Sequence, residues 1–177
     1  MGDPKKARKK YSTPIHPWRK ESIELEKALT KEFGFKNKKE IWKISSLLKN
    51  FSKQAKDSIV AITNQGEIEK KNLIERLIRL GLIKQGGQID DILSLTVRDI
   101  CERRLQTLIV RKNLARSLGQ ARQFIVHGHI SIGNKKVTSP SYLITVEEES
   151  QLCYTASSAL TNDEHPERFV EKKVVGK

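Results

Sequence analysis

The apolar residues of this chain recur with a helical period over most of its length and then change to strand-like alternation. Within residues 38–63 they follow one another at spacings of three and four, at Ile41, Ile44, Leu48 and Phe51. This spacing places them on one face of a helix. In residues 129–132 polar and apolar side chains alternate instead, which is typical of a half-buried strand. We therefore predict an α+β fold whose N-terminal part is mostly helical.

Capping residues and glycines mark the ends of the predicted elements. The predicted helices cover residues 21–33, 38–63 and 67–80, a short helix or turn at 89–93, a helix from Val97 towards Arg111, and a helix capped by Ser117 and stopped by Gly128. Strand-like segments are predicted at 129–132, 142–146 and 152–154, with turns at 133–136 and 147–149. Trp42, Cys101 and Cys153 are predicted core residues.

Four segments follow from this pattern. We predict an extended basic arm (1–20), a helical domain (21–102), a small domain of two helices packed on a short antiparallel sheet (103–154) and a flexible C-terminal tail (155–177). Three prolines and seven basic residues in the arm oppose regular structure.

The formal charge of +13 is segregated along the chain. Residues 1–56 carry +10, residues 57–100 carry −1, residues 101–145 carry +7 and residues 146–177 carry −3. Two separate basic blocks favour a polyanionic partner, because Lys and Arg displace counterions from phosphates. For residues 27–56 a solvated lysine-rich surface remains an equal alternative.

Several classes of protein are excluded or disfavoured by the sequence. It has no run of eighteen apolar residues and no apolar stretch after its first residues, so neither a membrane span nor a secretory signal is expected. Its two cysteines are far apart, and His127 and His129 do not converge as metal ligands, so we expect no metal site. No nucleotide fingerprint or nucleophile motif occurs. We predict no enzymatic activity, no cofactor and no small-molecule substrate.

The stretch from Arg103 to Tyr154 resembles the RNA-binding domain of the ribosomal protein S-four family, in its archaeal form. The motifs that carry the resemblance are Arg104-Leu105, Ser117-x-x-x-Ala121-Arg122, Ile125-x-x-Gly128-x-Ile130-x-Ile132 and Ser141-Tyr142. Upstream, His16-Pro17-Trp18, Asn37-Lys38-x-Glu40-Ile41-Trp42 and Arg76-Leu77-x-Arg79-Leu80-Gly81 extend it over residues 1–154. The family commonly has an acidic residue where this chain has Gln106.

This resemblance implies a structural protein of the small ribosomal subunit that acts in the cytoplasm. The family binds 16S-type ribosomal RNA, nucleates assembly of the subunit body and influences decoding accuracy. It lies near the path by which messenger RNA enters and contacts a protein of the S-five family. Two alternatives are a free-standing or stress-related RNA-binding protein and an RNA-binding appendage of an RNA-modifying enzyme.

The candidate RNA-binding residues belong to the arm and to the second basic block. Basic and aromatic side chains of the arm suit phosphate contact and base stacking, and guanidinium groups suit phosphate oxygens. In the arm the candidates are Lys5, Lys6, Arg8, Lys9, Lys10, Tyr11, His16, Trp18 and Arg19. In the second block they are Arg103, Arg104, Gln106, Arg111, Lys112, Arg116, Ser117, Gln120, Arg122, Gln123, His127, Lys135 and Lys136.

Overall fold

The computed structural model describes residues 2–3, 6, 8–61, 63–162 and 165–168. Its α-helices are α1 (Lys20–Phe33), α2 (Lys38–Val60), α3 (Asn64–Arg79), α4 (Ile89–Ser94), α5 (Val97–Glu102), α6 (Leu105–Arg111), α7 (Leu118–Val126) and α8 (Val146–Ser150). Its strands are β1 (Ile130–Ile132), β2 (Lys135–Lys136) and β3 (Leu152–Tyr154), and a 3-10 helix covers Ala159–Thr161. The predicted α+β class is confirmed.

The first three helices begin and end where short-range signals place them. The side chain of Asn37 accepts a hydrogen bond from the backbone amide of Glu40 at the start of α2. Gly34 ends α1 in the left-handed conformation, with φ of 61°. Helix α3 begins three residues before its predicted start, because Thr63 caps it by accepting from the amide of Gly66.

Residues 20–102, which we call the helical region, share one apolar core. Helix α2 supplies its centre and packs against α1, α3, α4 and α5. The most deeply buried apolar residues of this core are Phe51, Ala55, Leu77, Ile92, Ile100 and Cys101. None of the helices in the described ranges combines the length and the apolar character that crossing a membrane requires.

The predicted continuous helix from Val97 towards Arg111 is wrong. Helix α5 ends at Glu102, and α6 begins only at Leu105. Between them Arg104 takes an extended conformation, with φ of −74° and ψ of 143°, and forms an antiparallel bridge with Leu143. The local apolar pattern is helical. The helix is nevertheless interrupted here, because the backbone at Arg104 pairs with a distant segment at Leu143.

Residues 103–162, which we call the C-terminal region, form a second core beneath a small sheet. Strand β1 lies between β2 and β3 and pairs antiparallel with both. Helices α6 and α7 pack closely against each other. The fully buried residues of this core are Leu105, Ile109, Ala121, Ile125, Ile130 and Ile144.

The predicted strand over residues 142–146 and the turn at 147–149 are wrong. Apart from the bridge at Leu143, the segment 142–145 is irregular, and α8 follows it. Thr145 starts α8 with a capping box: its hydroxyl accepts from the amide of Glu148 at 3.2 Å, and its own amide donates to the Glu148 carboxylate at 3.0 Å. The three consecutive glutamates suit the first turn of a helix, where the dipole favours negative charge.

The first eight residues of the predicted tail are part of the folded C-terminal region. The amide of Thr155 donates to the carbonyl of His129 at 2.9 Å. Leu160, in the 3-10 helix, is only 3 % exposed and belongs to the second core. Residues 163–164 and 169–177 lie outside the described residues.

The three predicted core residues differ in their burial. Cys101 is buried, and burial raises the pKa of its thiol to about 12. Cys153 is exposed on the edge strand β3, so the prediction for it is wrong. Trp42 is half-buried, and its indole donates to the carboxylate of Glu26 at 2.8 Å.

Candidate nucleic-acid interface

The described residues of the N-terminal arm before Lys20 form no helix or strand. The amide of Ser12 donates to the hydroxyl of Ser46, on α2, at 3.0 Å, and this contact attaches the arm. Trp18 is 88 % exposed, so its indole is available for stacking on a base. The other exposed candidates of the arm are Lys6, Arg8, Lys9, Lys10, His16 and Arg19, while Tyr11 is partly buried. Lys5 lies outside the described residues.

Within the arm, Arg19 is the candidate with an acidic partner in the described residues. Its guanidinium lies 2.6 Å from the carboxylate of Glu21, and both side chains are largely exposed. Exposed pairs of this kind contribute little to stability and exchange readily with other anions. The pair therefore leaves Arg19 accessible to a phosphate.

The start of α7 gathers three candidates. Ser117 caps the helix by accepting from the amide of Gln120, and the side chain of Gln120 accepts from the amide of Arg116 at 2.8 Å. The guanidinium of Arg116 donates to the carbonyl of Pro166 at 2.6 Å. Arg116 and Ser117 remain exposed, so this end of α7 is an accessible basic surface.

A second group of candidates lies at the other end of α7 and in the β1–β2 hairpin. Gln123 and His127 are exposed on α7 and just after it, and Lys135 and Lys136 are exposed on β2. Gly128 has a φ of 74°, and any side chain there would collide with Lys136. This close approach brings Lys136 beside the end of α7.

The histidines His127 and His129 lie near each other and contact other groups of the C-terminal region. The ring of His129 contacts the hydroxyl of Ser158 at 2.8 Å and meets the ring of Phe124 edge-on. The two histidine rings are 6.2 Å apart between centroids. No group of three potential ligands occurs among the described residues.

Three further candidates make contacts within the protein. The guanidinium of Arg103 donates to the carboxylate of Glu149 at 2.7 Å and to the carbonyl of Ile144 at 3.2 Å. The ammonium of Lys112 donates to the carbonyl of Glu149. Arg111 is exposed and pairs with Glu102 at 2.7 Å. Arg103 and Lys112 therefore attach α8 to α6, whereas Arg111 remains accessible.

Arg104 and Gln106 were predicted to contact RNA, but the structure places both inside the protein. Each residue is only 1 % exposed. The guanidinium of Arg104 donates to the Glu40 carboxylate at 2.7 Å and lies 4.4 Å from the centre of the Phe35 ring. The amide of Gln106 donates to the carbonyl of Leu118 at 2.9 Å. Side chains so enclosed have no surface to offer a ligand, which corrects this part of the prediction.

Glu40 makes contacts at this site that the sequence reasoning missed. It accepts from Arg104, and also from Arg122 of α7 at 2.8 Å. Burial alone would raise its pKa, but hydrogen bonds from the two guanidinium groups and their charges outweigh burial and lower the pKa below its ordinary value. One feature of the sequence could have pointed to Glu40: it is the only acidic residue between positions 33 and 56.

Comparison with known proteins first identifies the class of domain to which the C-terminal region belongs. Residues 103–150, which include α6, α7 and the β1–β2 hairpin, match the S4 domain family. Over almost the whole chain the similarity extends to small ribosomal subunit protein uS4. The protein of that name from Methanococcus aeolicus is 47% identical over 169 residues, covering 95% of this chain and 96% of the relative. That from Methanococcus maripaludis strain C7 is 46% identical, covering 95% of each. The chain belongs to the uS4 family, and the predicted resemblance is confirmed.

Proposed function

We propose that this chain is a structural component of the small ribosomal subunit and binds 16S-type ribosomal RNA directly. The observation that carries the proposal is the 47% identity to a small ribosomal subunit protein along 95% of the chain. An S4 domain at residues 103–150 and two basic blocks support direct contact with RNA. The relatives are ribosomal proteins, and we assign the chain no catalytic reaction.

The proposed RNA-binding surface uses the accessible candidates and leaves out the enclosed ones. In the arm, exposed cations are accompanied by the exposed indole of Trp18, which suits a strand of RNA that is partly unstacked. In the C-terminal region, the exposed members are Arg111, Arg116, Ser117, Gln123, His127, Lys135 and Lys136. Arg122 and Gln120 lie at the margin of this surface, since both are partly buried.

Recognition is proposed to rest on phosphates, sugars and RNA shape. The deep major groove of A-form RNA hides the base edges from side chains, so lysines and arginines meet mainly the backbone. Each phosphate contact releases counterions, and affinity then falls as the salt concentration rises. Trp18 is the proposed stacking residue, because its indole is the most exposed aromatic ring in the described part of the chain.

Assembly and partners belong to the same proposal. We propose that the protein binds early, nucleates assembly of the subunit body and influences decoding accuracy in the cytoplasm. Its proposed neighbours are a protein of the S-five family and messenger RNA near the point where it enters. These finer assignments rest on the family resemblance.

Co-sedimentation tests the proposal. The full chain is expected to remain with small ribosomal subunits after a high-salt wash, because a component held by many contacts dissociates slowly. Binding to an isolated 16S-type RNA transcript is expected to weaken steeply between low and moderate salt. Release into the supernatant with undiminished binding to unrelated RNA would favour the free-standing alternative. A salt-independent affinity would contradict the proposed phosphate contacts.

A further inference from the structure

One carboxylate of the helical region accepts hydrogen bonds from two arginines of the C-terminal region. Glu40 belongs to the first turn of α2, while Arg104 precedes α6 and Arg122 lies on α7. One carboxylate oxygen is 2.7 Å from Arg104 and the other is 2.8 Å from Arg122. We call these three residues the Glu40 bridge. It is the ion-paired contact between α2 and the C-terminal region in the described part of the chain.

The surroundings of the Glu40 bridge leave little freedom for the two regions to move apart or turn. A Cβ placed on Gly34 would lie 2.8 Å from the Cβ of Leu118, so the loop before α2 touches the start of α7. The amide of Gln106 donates to the carbonyls of Gly34 and Leu118 at 3.3 Å and 2.9 Å. The bridge and these neighbouring contacts together place the start of α7 against the start of α2.

Exposed polar side chains lie on both sides of the bridge, and those on the helical side are cations. On the helical side, Lys36 lies in the loop before α2, and Lys39 and Lys43 lie on α2. All three are exposed and fall within four residues of Glu40, and we call them the α2 lysines. Lys43 follows Glu40 by three residues, so it lies on the same face of α2. On the other side, Gln123 follows Arg122 directly and is exposed. These α2 lysines were not among the predicted RNA contacts.

We propose that Glu40 is a positioning residue that holds the α2 lysines and the exposed edge of α7 in one continuous RNA-binding surface. The inference rests on the proposed function and names a further part of the same site. Two binding elements held at a fixed spacing reinforce each other, because binding of the first raises the effective concentration of the second. Without the bridge, the buried guanidinium of Arg104 and the partly buried guanidinium of Arg122 lose their counter-charge.

The sign of the effect separates this role from simple electrostatics. Replacing a carboxylate by an amide raises the net charge by one, and by itself this change strengthens binding to a polyanion. If Glu40 positions the surface, Glu40→Gln weakens RNA binding in spite of the added charge. Glu32→Gln is the matched control, because Glu32 is exposed and pairs with Arg98 at 3.3 Å away from the bridge.

The test measures the affinity of the full chain for an archaeal 16S-type RNA transcript at several salt concentrations. Glu40→Gln is expected to bind more weakly by about tenfold or more, and Glu32→Gln to bind as tightly as the wild type or more tightly. The triple variant Lys36→Ala, Lys39→Ala, Lys43→Ala is expected to weaken binding in the wild type and to have a smaller effect in the Glu40→Gln background.

Each outcome decides a separate point. Equal or tighter binding by Glu40→Gln overturns the positioning role, and so do equal effects of the lysine triple in both backgrounds. Amide hydrogen exchange of α6 and α7 in the free variant must show that both helices stay folded and protected, with any decrease no larger than the measured loss of global stability. If their protection is lost, Glu40 acts through folding alone and the inference fails. If the wild type itself does not bind the transcript, the proposed function fails instead.

Discussion

The two basic blocks of this protein have similar charge but use it differently. In residues 101–145, six of the eight basic side chains donate to a carboxylate or a carbonyl within the protein: Arg103, Arg104, Arg111, Lys112, Arg116 and Arg122. In the described part of residues 1–56, ion pairs are found for Arg19, Lys20 and Lys38. Most cations of the second block therefore make contacts within the protein, whereas most described cations of the first block face solvent.

Because of this difference, the net charge of a segment does not show which of its cations are accessible to RNA. The near absence of acidic residues in 101–145 favoured RNA contact for that block over a solvated surface. Two of the three acidic partners, however, come from distant positions, with Glu40 before the block and Glu149 after it. A local count cannot include partners that only folding brings near. For the lysines of α2, composition could not decide between RNA contact and a solvated surface. In the structure they are exposed, whereas several cations of the second block are not.

The largest expected difference between the blocks is in stability. Arg104→Ala leaves the carboxylate of Glu40 with one partner and empties the space over Phe35, so we expect a loss of about 3–5 kcal/mol in the free energy of unfolding. Lys43→Ala removes the same charge from an exposed position and should change stability by no more than about 0.5 kcal/mol. Urea denaturation of both variants provides the measurement. Equal losses would abolish the distinction between the blocks.

A smaller effect is expected at Arg103. Its charged hydrogen bonds to Glu149 and Ile144 attach α8, and removal of such bonds costs about 1.5–3 kcal/mol. We expect Arg103→Ala to lose stability in this range and to increase hydrogen exchange in α8. Thermal melts with exchange measurements test this, with Lys135→Ala as the exposed control. Unchanged protection of α8 would argue that Arg103 is free to serve RNA instead.

The Glu40 bridge should also give stability a dependence on acid pH. Because the pKa of Glu40 is lower in the folded chain than in the unfolded one, its contribution is fully present above the unfolded pKa and is lost as the pH falls through the folded value. The difference in unfolding free energy between wild type and Glu40→Gln is therefore expected to shrink on acidification below pH about 4.5. Urea titrations between neutral and acid pH measure it. A pH-independent difference would mean that Glu40 acts by shape alone.

The smallest effect is expected for Arg111. Its pair with Glu102 is exposed on both sides, and such pairs contribute about 0–1 kcal/mol. Arg111→Ala should therefore leave stability nearly unchanged while weakening binding to the RNA transcript and reducing the salt slope by about one. Fluorescence-monitored unfolding and a salt series of binding measurements cover both predictions. A stability loss above about 1 kcal/mol would move Arg111 into the structural group.

Much of the helical region could be predicted because its signals are local. The three- and four-residue spacing in α2, the cap at Asn37 and the glycine at position 34 each act within a few residues. Helices α1 and α2 begin within one residue of their predicted starts, and α3 begins three residues early. Local hydrogen bonds and one apolar face are sufficient to determine such elements.

The predictions that failed depend on contacts between distant residues. The break between α5 and α6 is caused by pairing of Arg104 with Leu143, almost forty residues later. The order in residues 155–162 comes from Leu160 entering the second core and from Thr155 bonding to His129. The periodic patterns of these segments do not reveal which distant residues pair with each other. Their structure follows from burial against elements elsewhere in the chain.

The sequence by itself determined the α+β class, the helices with strong local signals, the family and the two basic blocks. Tertiary structure alone decided which cations remain available to a ligand. It enclosed Arg104 and Gln106, attached Arg103 and Lys112 to α8, and selected Glu40 as the shared counter-charge of two arginines. The physical reason is that the availability of a cation to a ligand depends on how far it is buried and on which acidic or carbonyl groups of the protein lie beside it. Folding decides both.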